Sequence, residues 1–254
     1  NDPNRRKDDP KLLYWNCRGN PMNTMANVVS LNLLEGEIVS PIVLDRVEDA
    51  ITAIARGEMV IVVDDADREN EGDLIMAADA VTPADINFMA TEGRGLICVS
   101  LSAERLEQLD LPQMVGNNTE FLGTGFTITC DLREGTTTGI SASDRAKTIR
   151  ALTDANRVPG DFNRPGHVFP LRAHPEGVLG RPGHTEASLD LSRLAGRYSG
   201  GVLCEIALAD GEMARLPDLA AFSRRYGLKL ISIEDLIAWR RVNDRESEIG
   251  NTPS

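Results

Sequence analysis

Between Asp45 and Arg240 short apolar runs alternate with stretches whose apolar residues recur every three or four positions, and no Pro/Gly-rich or Ser-rich linker interrupts them. Such a series buries its apolar side chains as a sheet covered by helices, which narrows the fold to one α/β-type domain. Val47, Ala50, Ile51 and Ile54 sit at helical spacing ahead of Gly57, and residues 59–63 form an apolar, strand-like run. Residues 74–78 and 96–101 read as further strands. Between them a helix opens at Thr82-Pro83, an N-cap followed by proline at the first helical position. The pattern predicts strands over 126–130, 167–171, 202–208 and 228–231, and helices over 143–152, 185–194, 219–226 and 233–240. Residues 1–40 lack a sustained period and read as an N-terminal extension, 41–241 as the folded domain, and 242–254 as a polar tail. Met22 and Met25, just ahead of the patterned region, suggest that part of the extension lies outside the native protein. Periodicity does not give the order of strands in the sheet.

Charge and cysteine content exclude several classes. With a net charge of −12 the surface repels polyanions, so nucleic acid is not the expected partner, and any anionic substrate needs locally concentrated arginines. Cys17, Cys98, Cys130 and Cys204 are scattered without a CxxC pair, a pattern of reduced thiols rather than a zinc site or a disulfide framework. No apolar stretch approaches a membrane span and no secretory leader pattern is present, so the expected location is the cytoplasm. The Gly-rich dinucleotide fingerprint and the P-loop are also missing.

Three segments carry the chemistry. Residues 64–73 hold six carboxylates in ten positions between two apolar strands. A solvated acidic turn is one reading. The other is a cation site: if the segment is extended, Glu69, Glu71 and Asp73 share one face, and a hard divalent ion such as Mg2+ relieves their repulsion. Two of the three histidines occupy the same tetrapeptide, Arg164-Pro165-Gly166-His167 and Arg181-Pro182-Gly183-His184. His167, followed by Val168 and Phe169, fits either a core side chain or a functional one. His184 precedes Thr185, a candidate N-cap, so arginine, hydroxyl and free main-chain N–H groups would converge at a helix start as a phosphate site. Glu205 is the one carboxylate in the run Val202-Leu203-Cys204-Glu205-Ile206, placed either on a wet strand face or as a proton-transfer group. His174 lies in a polar stretch and receives no role.

Read together and in order, Asp67-Arg68-Glu69-Asn70-Glu71-Gly72-Asp73, Thr137-Thr138-Gly139-Ile140-Ser141-Ala142-Ser143-Asp144-Arg145 and Arg181-Pro182-Gly183-His184-Thr185-Glu186-Ala187 resemble the 3,4-dihydroxy-2-butanone 4-phosphate synthases of riboflavin biosynthesis. The resemblance covers about residues 45–240. It implies an α+β fold with three layers around a mixed, twisted sheet, a homodimer, and Mg2+ or Mn2+ as cofactor. It also implies conversion of ribulose 5-phosphate to 3,4-dihydroxy-2-butanone 4-phosphate and formate. By position, Glu69 and His184 would bind the metal. Arg68, Glu69, Asp73, Arg181, Gly183, His184, Thr185 and Glu205 would hold the substrate, with Arg181 and Thr185 at its phosphate. His167 and Glu205 would be the catalytic groups, with Glu71 and Cys98 as secondary candidates. The rivals are another metal-dependent pentose-phosphate isomerase or aldolase, and a non-catalytic sugar-phosphate-binding relative. The family is often fused to a GTP cyclohydrolase, but clustered zinc-ligand cysteines are absent, so one activity is expected for this chain.

Overall fold

The computed structural model describes residues 28–29 and 42–250, with side chains from 42 to 244. The remainder of the 1–40 extension lies outside the described residues. The chain divides into two units at Leu44/Asp45. In the first, β1 (Val28–Val29) pairs antiparallel with β2 (Ile42–Val43).

The second unit is built on a seven-stranded sheet. In chain order its elements are α1 (Val47–Ala55), β3 (Val60–Val63), β4 (Gly72–Ala77), α2 (Pro83–Phe88), β5 (Cys98–Leu101), α3 (Ala103–Gln108), β6 (Cys130–Leu132), α4 (Ala142–Thr153), β7 (Phe162–Arg172), α5 (His184–Leu194), β8 (Gly200–Glu205), α6 (Leu216–Tyr226), β9 (Lys229–Ser232) and α7 (Ile233–Gly250). Across the sheet the strands run β6-β7-β5-β8-β4-β3-β9. The β7–β5 and β3–β9 pairs are parallel and the others antiparallel, so the sheet is mixed. Every residue of β3, β4 and β5 is buried, which is why these strands read as continuous apolar runs and not as alternating ones.

Helices cover both faces. α1, α5 and α7 pack together, with α5 crossing β8, β4 and β5. The approach is close at Gly201 of β8, where a Cβ would fall 2.5 Å from the main-chain oxygen of Ser188 in α5. Side chains alternate across a strand, so Leu74 and Cys204 point to the opposite face, and a Cβ at Gly72 there would meet Leu219 of α6. Cys204 on that face also donates to the carbonyl of Met89, just past α2, and α2 packs on α4. The result is the three-layer α+β arrangement around a mixed sheet. α2 starts where expected, with Thr82 and Asp85 forming a reciprocal capping box ahead of Pro83.

Several elements differ from the periodic reading. Residues 126–130 make isolated bridges at Phe126 and Thr127, and the strand proper starts at Cys130. β7 begins at Phe162, its first half disguised by Pro165 and Gly166. β8 stops at Glu205 and α7 continues past Arg240 to Gly250. α3 has too short an apolar pattern to be seen in sequence. Among the described residues no helix is long and apolar enough to cross a membrane.

Candidate active site

The acidic segment is a turn organised around its first carboxylate. Buried Asp64 accepts the main-chain N–H groups of Glu69 at 3.0 Å and Glu71 at 2.9 Å, and Arg68 at 2.9 Å. Arg215, at the cap of α6, donates to the carbonyls of Glu69 and Asn70. Asn70 adopts a left-handed φ of 56° and β4 begins only at Gly72, so the expected single extended face for Glu69, Glu71 and Asp73 is not formed. The three carboxylates converge all the same, because the turn folds Glu69 back over the start of the strand that carries Asp73.

The second group arrives on α5. Its N-cap is Gly183, not Thr185 as the sequence suggested; Thr185 lies buried within the first turn. No side chain caps this helix, so its first N–H groups are open to a ligand. Gly183 leaves room for two cations: a Cβ there would lie 2.4 Å from an Arg181 nitrogen and 2.9 Å from one of Arg68. Arg181 is aimed by buried Glu186 at 2.7 Å and by the Thr124 hydroxyl at 3.1 Å.

His184 Nδ1 lies 3.2 Å from Glu69 Oε2 and 3.9 Å from Asp73 Oδ1. Both His184 Nε2 and Asp73 Oδ1 are buried without a hydrogen-bond partner. Burial opposes charge on His184, but Asp73, the Glu69 hydrogen bond and Asp64 outweigh it and carry the imidazole up to about 9. Burial pushes Asp73 up to about 8 against the pull of His184, helped by Glu205, Glu69 and Glu71. Burial would also raise Glu69, but His184, Arg68 and Arg181 hold it below its ordinary value. Burial and the neighbouring Glu69 raise Glu71. Glu205 pairs across the ladder with Asp73, and its Oε2 accepts the Leu96 N–H at 2.8 Å. Cys98 is a buried thiol raised well above its ordinary value by burial and then by Glu205 and Asp73, so it forms a neutral wall and not a nucleophile.

These groups line one cleft of about 240 Å3, which includes Arg68, Glu69, Glu71, Asp73, Cys98, Arg181, His184, Thr185 and Glu205. Glu120, Thr124 and Phe126 complete a wall that no sequence motif marks as functional. Phe126 opens the strand-like run expected over 126–130, whereas Glu120 and Thr124 precede it without a period, and Arg181 ties the segment to the site through the Leu122 carbonyl at 3.4 Å and the Thr124 hydroxyl at 3.1 Å. His167 does not line this cleft. Its ring is 44% exposed and its Nδ1 lies 2.7 Å from Asp131 Oδ2.

Among the described residues Asp64, Glu69 and His184 form a group of potential metal ligands whose donor atoms all lie within 4.8 Å of one another. The oxygens of Asp64 are already committed to two N–H groups and a guanidinium, whereas the buried, unbonded Nε2 and Oδ1 belong to His184 and Asp73. His184 and Glu69 both line the cleft and have donor atoms within 4.8 Å of each other, and an imidazole beside carboxylates could hold a divalent cation there once its proton is displaced.

Known proteins match the stretch of chain that carries this cleft. The chain matches the model of the 3,4-dihydroxy-2-butanone 4-phosphate synthase family over residues 48–239. It is 60% identical over 194 residues to the 3,4-dihydroxy-2-butanone 4-phosphate synthase of Agrobacterium fabrum, covering 76% of this chain and 91% of that protein. It is 61% identical over 198 residues to the riboflavin biosynthesis protein RibBA of Aquifex aeolicus, covering 77% of this chain but 49% of that longer protein. A crystal structure of 3,4-dihydroxy-2-butanone 4-phosphate synthase in complex with two magnesium ions superposes with a TM-score of 0.77 at 46% identity, over 79% of this chain and 99% of that one.

Proposed function

The chain belongs to the 3,4-dihydroxy-2-butanone 4-phosphate synthase family and is an enzyme of riboflavin biosynthesis, and from that premise we propose how its cleft turns ribulose 5-phosphate into 3,4-dihydroxy-2-butanone 4-phosphate and formate. The observation that carries the reading is the convergence of Glu69, Asp73, His184 and Glu205 with Arg68 and Arg181 in one cleft. Arg181, Thr185 and the open N–H groups of α5 at Gly183 take the phosphate, which anchors the sugar without entering the chemistry. Arg68 and Asp73 hold substrate oxygens, Asp73 as a hydrogen-bond donor while it keeps its proton.

Glu69 and His184 hold Mg2+ or Mn2+. When bound, the ion supplies Lewis-acid stabilisation of negative charge on substrate oxygens. Loss of the C3 proton, loss of water at C1, skeletal rearrangement and release of C4 as formate need groups that move protons. Glu205 is one: it lines the cleft, and the Leu96 N–H fixes its Oε2. His167 is the other. The active unit in this reading is a cytoplasmic homodimer in which His167, half exposed and outside its own chain's cleft, serves the cleft of its partner.

Incubation of the protein with ribulose 5-phosphate and Mg2+, with and without chelator, tests the reading by assay of formate. Formate that appears only with the metal is the expected result. Metal-independent turnover, or conversion to another pentose phosphate without formate, overturns it.

A further inference from the structure

Two sequence motifs stand apart from the cleft and meet each other at one carboxylate. Between β6 and β7 the pairing steps from Cys130↔Val168 to Asp131↔Asn163, so residues 164–167 bulge out of the ladder. A bulge bends its strand and re-aims the side chains it carries. Gly166 allows the bend, since a Cβ there would lie 2.1 Å from the main-chain carbon of Cys130 and 2.3 Å from the nitrogen of Asp131. At this closeness the buried Asp131 carboxylate reaches His167 twice. Oδ1 accepts the His167 main-chain N–H at 2.8 Å, and Oδ2 lies 2.7 Å from His167 Nδ1.

The Thr137-Thr138-Gly139-Ile140-Ser141 turn walls this carboxylate in. Gly139, at φ 94°, approaches so closely that a Cβ would fall 2.0 Å from Asp131 Oδ2. Asp144 of α4 pins the turn by accepting the Thr137 N–H at 3.0 Å, the Thr137 hydroxyl at 2.6 Å and the Gly139 N–H at 3.2 Å.

We infer that Asp131 is the positioning residue of His167. One carboxylate oxygen is fixed by the main-chain N–H, so the other faces Nδ1 as an acceptor, and Nδ1 carries the ring proton. Nε2 then keeps its lone pair for proton transfer. Gripping both main chain and ring fixes tautomer and ring plane together, as second-layer carboxylates do for working histidines. The inference rests on the proposed acid–base role of His167, and it gives the 137–145 motif a task that the cleft does not.

Asp131→Asn tests it with little change of shape. The amide oxygen stays on the His167 N–H, which needs an acceptor, and the NH2 group is driven against Nδ1. Nδ1 must then accept, and the ring proton moves to Nε2. Ring 15N NMR of the neutral imidazole should report the Nδ1–H tautomer in the unchanged protein and Nε2–H in the variant. With thermal stability retained, kcat should fall by about 10²–10⁴-fold at nearly constant KM, as expected for a misplaced proton-transfer group. Asp131→Glu, which keeps a carboxylate, should recover part of the loss. An unchanged tautomer in Asp131→Asn overturns the inference. A switched tautomer with unchanged kcat overturns instead the role of His167 on which it rests.

Discussion

Replacement of Gly201 by alanine should damage the site from the far side of α5. The added Cβ would lie 2.5 Å from Ser188 O, 2.6 Å from its Cβ and 2.7 Å from its carbonyl carbon. Ordinary contact for such atoms begins at about 3.4 Å, so helix and strand must separate by roughly 0.5–1 Å. Backbone atoms, unlike the tip of a flexible side chain, cannot rotate away. The Ser100–Ser188 hydroxyl pair at 2.6 Å, which also ties to the Gly201 N–H, must break or stretch. Overpacking of this kind costs about 1–3 kcal/mol. Ser188 is one helical turn from His184, about 6 Å along the axis, so the displacement reaches the 3.2 Å contact between His184 and Glu69. A misplacement near 1 Å lowers rates by about 10²-fold. Urea denaturation and steady-state formate release measure the two effects. Gly160→Ala, where nothing lies within 4 Å, is the control and should be neutral. Stability and kcat/KM of Gly201→Ala both matching the control would refute the argument that α5 is positioned by this contact.

Three further outcomes are expected. His184→Ala should weaken Mn2+ binding at least tenfold by calorimetry and lower formate release with it, because the imidazole is one of two proposed ligands; undiminished affinity would remove His184 from the metal site. The thiols of Cys130 and Cys204 are both pushed up to about 12, by burial first. They stay protonated in the folded chain while the unfolded chain ionises near 8.5, so their contribution is complete below that pH and is lost as pH rises toward 12. The unfolding free energy from urea titrations should therefore fall above pH 8.5 by up to about 1.4 kcal/mol per pH unit for each thiol, and a flat profile to pH 10 would contradict it. Arg240→Met should destabilise by about 1–3 kcal/mol, since it removes the guanidinium that buried Asp190 meets at 2.8 Å and leaves that carboxylate only the Val178 N–H and the more distant Arg193; a melting temperature unchanged from that of the parent would show the pair to be dispensable.

The fold class was legible because buried strands and amphipathic helices have different periods, and the residues of α1, β3, α6 and β9 follow them closely. What escaped lies where distant segments decide local shape. Asn70 turns left-handed, and the loop it belongs to is tied down by Arg215, 145 positions away. No local pattern announces that tie. Gly183 displaces Thr185 as the cap of α5 because the space beside it is needed for two guanidinium groups, a demand that comes from Arg68 in another segment. Glu205 was ambiguous in sequence between a wet face and a working one. The ladder sets the residue opposite Asp73 at the end of β8, in the lining of the cleft. The two Arg-Pro-Gly-His tetrapeptides look equivalent as text, yet one opens a helix and the other bulges from a strand. The flanking elements, not the four residues, set those conformations.

The position of β8 in the sheet bears on how the chain is made. Among the described strands it is the eighth to be synthesised, but it lies in the middle of the sheet, between β5 and β4. Glu69 leaves the ribosome 115 residues ahead of its partner His184, an interval of about 6–23 s at usual translation rates. From their own synthesis until β8 emerges, β4 and β5 each present an unpaired edge, the kind of surface on which nascent chains stick to one another. The carboxylates of the acidic turn are exposed for as long, without the histidine and arginine that offset their charge. Chaperone dependence of the nascent chain should therefore peak before Gly200 emerges and end once β8 has inserted, the same event that assembles the cleft.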